Sequence, residues 1–560
     1  MENQFKYSLS TIIKRLLKFA RPIKSYLIIS TLASIIGNLS HIGLMGFGSL
    51  YLLSLTSYLN TNPDKWLILT IISASLIAIC RYLEGVYSHI GAYGVLASLR
   101  VHLFSIIDRI SPAFLIDHKK GDLMSIAIND IETLEYFFAH TIGPMFTVII
   151  LPLVTLIVAY QIHPYYFMVL LPLFILISIV IPLIALKAGN NIGMNYRKSL
   201  GELKSLVLES VYGIRDIQIY NNGEKRLEKI LNENEIVNKA SHGLTLHQQI
   251  LSSVPNFFIY IARILIIVVS AYLISINQNN PSGTILISFA AAASFSSTFS
   301  LTFVVTHLLE TFAAAKRIFI IEDTIPTVNQ KETTQTCGEI QNIKFNNVSF
   351  TYPNTDVEVL KNLNFEIKKG DKIGIFGPSG IGKSTLFRLL LRFYDPNSGT
   401  ISFNHIDLKD LSFNEIYQRI GMLEQETYLF DDTIFNNIAI AKEGASLDEV
   451  KKAAEKAGIA SLIDTLPKGY NTEMGQMASR LSGGEKQRIG IARIMLACPD
   501  IIVMDEPTSA LDVFHEKELL HTLKTEYSDA TWLIISHRMS TLTCCNRLYK
   551  LENGQLIQIN

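Results

Sequence analysis

The stretch GPSGIGKST, residues 377–385, decides how the C-terminal part of this chain folds. A short β-rich run, KIGIF (372–376), precedes it, and LFRLLL opens a helical pattern after it. The pattern G-x-x-x-x-G-K-[ST] therefore runs from Gly377 to Ser384 in the strand–loop–helix context that a phosphate-binding loop needs. Gly377, Gly380 and Gly382, with Pro378, Ser379 and Ile381 between them, let the backbone turn its N–H groups toward phosphate at the positive end of a helix that continues through Thr385. Lys383 is placed to reach the β- and γ-phosphates and Ser384 to ligate Mg²⁺. The expected ligands are ATP and Mg²⁺.

Working outward, DIIVMDEPTSALD (500–512) carries four apolar residues and then two carboxylates. An acid pair at a strand end can simply be a solvated cap. With a phosphate loop upstream, a metal–phosphate site explains it better. Asp505 is expected to hold Mg²⁺, directly or through water, and Glu506 to polarise the attacking water.

LSGGEKQR (481–488) closely resembles the signature motif of ABC ATPases, and it precedes the Asp-Glu strand as it does in that family. The resemblance implies roles for further residues. Tyr352 matches the aromatic that stacks on adenine, and Gln425 the glutamine that contacts Mg²⁺ and couples to the membrane part. Asp512 matches the loop that crosses between subunits, and His537, in WLIISHR, the switch histidine at the γ-phosphate. Ser482, Gly483 and Gly484 are intact, while Glu485 replaces the usual glutamine. The signature of one chain completes the ATP site of another, so the resemblance implies a dimer of half-transporters. Its fold would be a six-helix all-α transmembrane domain followed by an α/β ATPase domain.

The upstream sequence agrees. The chain has 560 residues, 49% of them hydrophobic, with a mean hydropathy of +0.29, too apolar for an ordinary soluble protein. With 49 basic and 49 acidic residues, nothing argues for nucleic acid as a partner. Five cysteines without C-x-x-C spacing give no disulfide framework or zinc site, and the N-terminus carries no cleavable signal pattern. Apolar runs able to cross about 30 Å of hydrocarbon lie near 25–57, 66–92, 137–161, 164–186, 250–275 and 283–310. The short connections TSYLNTNPDK, QIHP and INQNNPS hold one Lys and no Arg, whereas residues 187–240 hold nine basic residues. Positive charge inside predicts a multi-pass protein of the cell membrane with both termini and the ATPase domain in the cytoplasm. The resulting map is an interfacial helix at 1–24, membrane domain at 25–322, linker at 323–341 and ATPase domain at 342–560. GDLMSIAIND (121–130) and ESVYGIRDIQ (209–218) resemble the family's coupling helices, which dock on ATPase domains.

CRYLEGVYSH (80–89) places Arg81, Glu84 and His89 on an apolar helix, where an ionisable group costs roughly 2.5–3.5 kcal/mol on insertion scales. Arg81 and Glu84, three residues apart, can neutralise each other on one face. From Trp66, His89 lies about 35 Å along an untilted helix, near the far boundary of the bilayer. A neutral imidazole bridging to another helix is the plain reading. His41, His140, His307 and Arg263 could line a polar path or bridge helices as well. This stretch also resembles the CydC/CydD-type half-transporters of cytochrome bd assembly, departing at Gly85 where that group usually has a second arginine. The resemblance implies a small thiol cargo, cysteine or glutathione, a distinct second half-transporter as partner, and haem ligated by His89. A general peptide, lipid or drug exporter, or a siderophore-type importer, is the alternative.

Overall fold

The computed structural model describes residues 7–56, 61–117, 120–276, 281–330, 335–353, 355–475, 481–508, 513–526 and 530–559. The chain divides into two compact units, Met1–Asp108 with His118–Thr324, and Arg109–Asp117 with Ile325–Asn560.

Among the described residues, the first unit is built of helices and the turns between them. Helix α1 (Leu9–Phe19) is capped by Ser8, buries Ile12 and Leu16, and carries Lys14, Arg15 and Lys18 on its other positions. Arg15 anchors it, since its guanidinium meets Glu322 at 2.6 Å and Asp323 at 2.5 Å, and the Tyr7 hydroxyl also donates to Asp323. Then follow α2 (Lys24–Ser54) and α3 (Pro63–Ile110). At about 1.5 Å per residue, the 48 residues of α3 span about 70 Å, more than twice the hydrocarbon thickness. Beyond α4 (Ala113–Asp117) come α5 (Lys120–Ser125), α6 (Ile131–His140), α7 (Ile142–Ile162) and α8 (Pro164–Ile175). A wider π turn, Ile126–Asp130, links α5 to α6, and another, Leu176–Val180, links α8 to α9 (Ile181–Tyr212). The short α10 (Ile214–Ile219), the 53-residue α11 (Gly223–Ser275) and α12 (Pro281–Glu322) complete the unit.

Among the described residues, five helical stretches are long and apolar enough to cross a membrane: Arg21–Ser54, Pro63–Ile110, Gly121–Ile162, Pro164–Ile184 and Gly223–Ser275. In α12 the described apolar part is Ser282–Phe295, shorter than a full span. Inside the bundle, hydroxyls tie helices together, as expected where helix faces are all apolar. Tyr166 Oη lies 2.9 Å from both Ser270 and Thr284, and Thr155 pairs with Ser294 at 2.5 Å.

In the second unit, β1 (Asn342–Thr351), β2 (Glu358–Lys368), β4 (Ser398–Phe403) and β5 (Ile406–Asp407) form an antiparallel sheet ordered β2-β1-β4-β5. The larger sheet takes β3 (Lys372–Phe376), β6 (Ile420–Leu423), β7 (Ile501–Asp505), β8 (Thr531–Ile535), β9 (Arg547–Glu552) and β10 (Gln555–Ile559) in the order β10-β9-β3-β8-β7-β6. All its pairings are parallel except β9 with β10. Its central strands are continuous apolar runs because both faces are covered; Ile501, Ile502, Val503 and Met504 are all fully buried. Arg109–Asp117 belongs to this unit, with Ala113 buried in its apolar cluster. The part of the first hairpin that joins the second unit is thus Arg109–Asp117, upstream of GDLMSIAIND, which itself forms α5 and the π turn in the first unit.

Candidate functional site

Three adjacent parallel strands end at the same level. Ile375 of β3 and Asp505 of β7 are both in register with Ile535 of β8, which lies between them. The phosphate loop after β3, Ser536-His537 after β8 and Glu506 after β7 therefore emerge side by side at the carboxyl edge of the sheet, where open α/β sheets bind ligands.

The loop owes its shape to glycine. Gly382 has φ of +108°, and a Cβ there would stand 2.4 Å from Val359 Cγ1, so a side chain fits neither the backbone nor the space. Helix α13 (Lys383–Leu390) starts directly after it. Lys383, only 6% exposed, donates from Nζ to the carbonyls of Gly377 at 2.8 Å and Pro378 at 2.9 Å. Ser384 Oγ donates to Asp505 Oδ2 at 2.9 Å, which puts the hydroxyl and carboxylate suited to one Mg²⁺ side by side. His537 Nε2 lies 3.2 Å from Lys383 Nζ, 3.2 Å from Ser379 Oγ and 3.0 Å from Glu506 Oε1. Glu506 itself adopts the left-handed φ of 49°, costly for a residue with a Cβ, while its N–H donates to Ile535 O at 2.9 Å. Such strain commonly marks a functional position.

Electrostatics fit an anionic ligand with a divalent ion. Burial pushes the Lys383 ammonium below its ordinary range, opposed by the charges of Glu506 and Asp505. Burial likewise pushes the Asp505 carboxyl up, with Ser384's hydrogen bond opposing and Glu506's charge adding to the rise. A bound Mg²⁺ would relieve the crowding of the two acids.

Tyr352 sits against α13, its hydroxyl 2.9 Å from Thr385 Oγ1 and receiving a bond from Arg388 Nη1 at 2.9 Å. Ile381 packs on the core and Gln425 is exposed just past β6, on the same edge of the sheet. Ser482 caps the helix Gly483–Ala497, which opens on Gly483 and Gly484; its bonds are local, to Glu485. Asp512 lies outside the described residues. The replacement Glu485 closes a capping box, accepting from Ser482 N at 2.7 Å while its own N–H donates to Ser482 Oγ.

Two residues escaped the motif reading. Glu516, 4% exposed, accepts from Ser540 and Thr541 at 2.8 Å each and from Arg538 at 3.2 Å, bracing the segment after His537. A carboxylate four residues after Asp512, on a helix, was the available signal. In the first unit, Arg81 pairs with Glu84 at 2.8 Å and also reaches Asn38 at 3.1 Å, the mutual neutralisation that their spacing suggests. His89 Nδ1 lies 3.0 Å from Glu135 Oε1 on α6, so the helix-bridging partner that the sequence left open is Glu135.

A glycine loop cradling a buried lysine, with an acid pair and a histidine on neighbouring strand ends, defines a phosphate-loop ATPase, here fused to a bundle of membrane-crossing helices. Residues 360–509 match the family model described as ABC transporter, and residues 27–299 that of the ABC transporter transmembrane region. A probable ABC transporter ATP-binding/permease protein of Haemophilus influenzae is 31% identical over 547 residues, covering 97% of this chain and 99% of that one. The ATP-dependent lipid A-core flippase of Syntrophus aciditrophicus is 29% identical, covering 98% and 91%. The glutathione/L-cysteine transport system protein CydC of Escherichia coli is 27% identical, covering 85% and 83%. A solved bacterial Atm1-family ABC exporter with ATP bound shares the fold, with a TM-score of 0.82 at 22% identity over 96% of this chain and 95% of that one. The chain belongs to the ABC transporter family. It is a multi-pass membrane protein whose α/β domain hydrolyses ATP in support of transport.

Proposed function

We propose that the chain is one half of an ATP-driven exporter, working as a dimer with its ATPase domain in the cytoplasm. The convergence of Lys383, Ser379 and Glu506 on His537 Nε2, beside the Ser384–Asp505 pair, carries this reading. Bound Mg²⁺ would supply charge neutralisation for the phosphates, held by Ser384, Asp505 and Gln425. Lys383 and the loop Gly377–Gly382 bind the phosphates, and Tyr352 supports the adenine. Glu506 accepts the proton of the attacking water, and His537 holds that carboxylate in place and senses the γ-phosphate. The Ser482-Gly483-Gly484 helix start and Asp512 serve the ATP site of the partner chain. The segment Arg109–Asp117 and the tip around α10, where Tyr212 and Tyr220 are 85% and 78% exposed, couple the membrane helices to the two ATPase domains.

For cargo we favour a small thiol such as cysteine or glutathione and a distinct second half-transporter as partner. The CydC relative and the Arg81–Glu84 and His89 pattern support both. The flippase relative favours a lipid cargo instead. Haem at His89 is the weaker part of the resemblance. Arg81 is committed to Glu84 and Asn38, position 85 is glycine, and His89 already faces a carboxylate and a second imidazole, a donor set that suits a bare cation rather than a porphyrin with anionic propionates. Inside-out vesicles test the cargo. ATP-dependent accumulation of radiolabelled cysteine or glutathione, abolished by Lys383→Ala, is expected; lipid translocation without thiol uptake would overturn the choice.

A further inference from the structure

Among the described residues of the first unit, a group of three side chains able to hold a metal ion joins α3 to α6. His89 Nδ1 and Glu135 Oε1 are 3.0 Å apart, and one donor atom from each of His89, Glu135 and His140 lies within 4.8 Å of the others. We infer that these three side chains form a binding site for a divalent transition-metal ion of the Zn²⁺ or Co²⁺ class.

Distance supports this first. Ligands bound at about 2.0–2.1 Å to a tetrahedral ion stand about 3.4 Å from one another. The His89–Glu135 pair, at 3.0 Å, would open by a few tenths of an ångström to that spacing, and the third donor, within 4.8 Å, would move inward. The donor set supports it next. Two imidazoles and one carboxylate suit borderline divalent ions and leave a fourth position open, as in exchangeable rather than structural sites. Ca²⁺ and Mg²⁺ would want more oxygen than this cluster offers.

Charge adds an independent reason. Glu135 lies on the helical stretch Gly121–Ile162, two residues before its apolar run begins near 137, and is half-buried there, where a carboxylate is costly unless partnered. On α3, Glu84 is neutralised by Arg81, and on α6 Glu132 faces Arg100 at 3.6 Å. Glu135 has instead two imidazoles, which are neutral in their metal-binding form. A divalent cation would balance the carboxylate and satisfy both rings at once.

The surroundings hold the ligands in place. The His140 ring stands edge-on to His89 at 5.1 Å, and Tyr136 packs against His140 at 5.2 Å and against His307 of α12 at 4.3 Å. On a straight α-helix, residues 135 and 140 point about 140° apart. Here α6 ends at His140, and Thr141 forms a joint before α7, its hydroxyl bonded back to Tyr136 O at 3.1 Å. His140 is the terminal residue of α6, and one of its ring nitrogens nevertheless lies within 4.8 Å of a Glu135 carboxylate oxygen.

The test uses the full-length protein, without a histidine tag, purified in detergent and stripped with a chelator. It is equilibrated with Zn²⁺ alone for elemental counting and with Co²⁺ alone for visible absorption. One ion per chain is expected, with the absorption of low-coordinate Co²⁺. Glu135→Gln keeps a hydrogen-bond acceptor for His89, so it should remain folded yet bind the ion at least tenfold more weakly. Outer-shell changes alone commonly cost 10–100-fold. His140→Asn should do the same, while His163→Asn, outside the cluster, should bind as the parent does. Stoichiometry unchanged in Glu135→Gln and His140→Asn would mean adventitious binding and overturn the site. A stripped protein that takes up haem through His89 but neither metal ion would overturn it as well.

Discussion

Replacing Glu506 by glutamine removes one negative charge from the ATP site and almost no volume. The amide oxygen can still accept from His537, so the 3.0 Å contact need not open. What disappears is the capacity to take a proton from water. A positioned general base contributes roughly 10²–10⁴ in rate, or about 3–5.5 kcal/mol at about 1.4 kcal/mol per decade. Binding should respond differently, because Glu506 acts on its neighbours in opposite senses. Its charge helps keep Lys383 protonated against burial, and it also pushes the Asp505 carboxyl up. In the variant Lys383 holds its proton less firmly while Asp505 ionises more readily for Mg²⁺. These changes oppose each other at one site, so the Kd for MgATP should move by less than about tenfold, under 1.4 kcal/mol. The assay pairs fluorescent-nucleotide displacement with single-turnover hydrolysis, measured on both composite sites of the assembled dimer. Hydrolysis at the parental rate would refute the role given to Glu506. Parallel loss of binding and turnover would show that the residue shapes the loop instead.

Lys383→Ala should weaken MgATP binding itself, because the cation inside the loop is lost; equilibrium titration reads this, and parental affinity would contradict it. Glu485→Ala should open the capping box and cost about 1 kcal/mol, seen as a drop of a few degrees in the melting of the ATPase domain; Glu485→Gln, which can also close the box, should melt like the parent. Glu516 contributes stability with a definite pH sign. Burial alone would raise its carboxyl, but bonds from Thr541, Ser540 and Arg538 outweigh that and hold it below its ordinary value. Its contribution is therefore present above the ordinary carboxylate range and lost as pH falls through the lowered value. Glu516→Gln should remove roughly 1.5–3 kcal/mol near neutrality for a charge-assisted bond and flatten the acid limb of a stability–pH curve; an unchanged acid limb would count against the brace.

The phosphate loop was legible in the sequence because its chemistry is contiguous: glycines at fixed offsets set a local backbone, and Lys383 and Ser384 follow on the first helical turn. The apolar spans were legible for a similar reason, since hydrocarbon thickness fixes a minimum run length. The acid pair could be placed at a strand end, but not at this particular site. That required the order β3-β8-β7, with register bringing Gly377, His537 and Glu506 to one edge, and strand order depends on packing between segments more than 100 residues apart. The same holds for the hairpins. Sequence pattern singled out GDLMSIAIND as a coupling helix; that Arg109–Asp117, just upstream, groups with the second unit and buries Ala113 in its apolar cluster was not readable from the pattern. His89 shows the limit most clearly. Its cost in an apolar helix was visible from the sequence, whereas its partners, Glu135 and His140, are set by how α3 packs beside α6 and where α6 ends. A side chain's own chemistry is written in its residue type; its neighbours across a tertiary contact are determined by shape and burial, which no local pattern encodes.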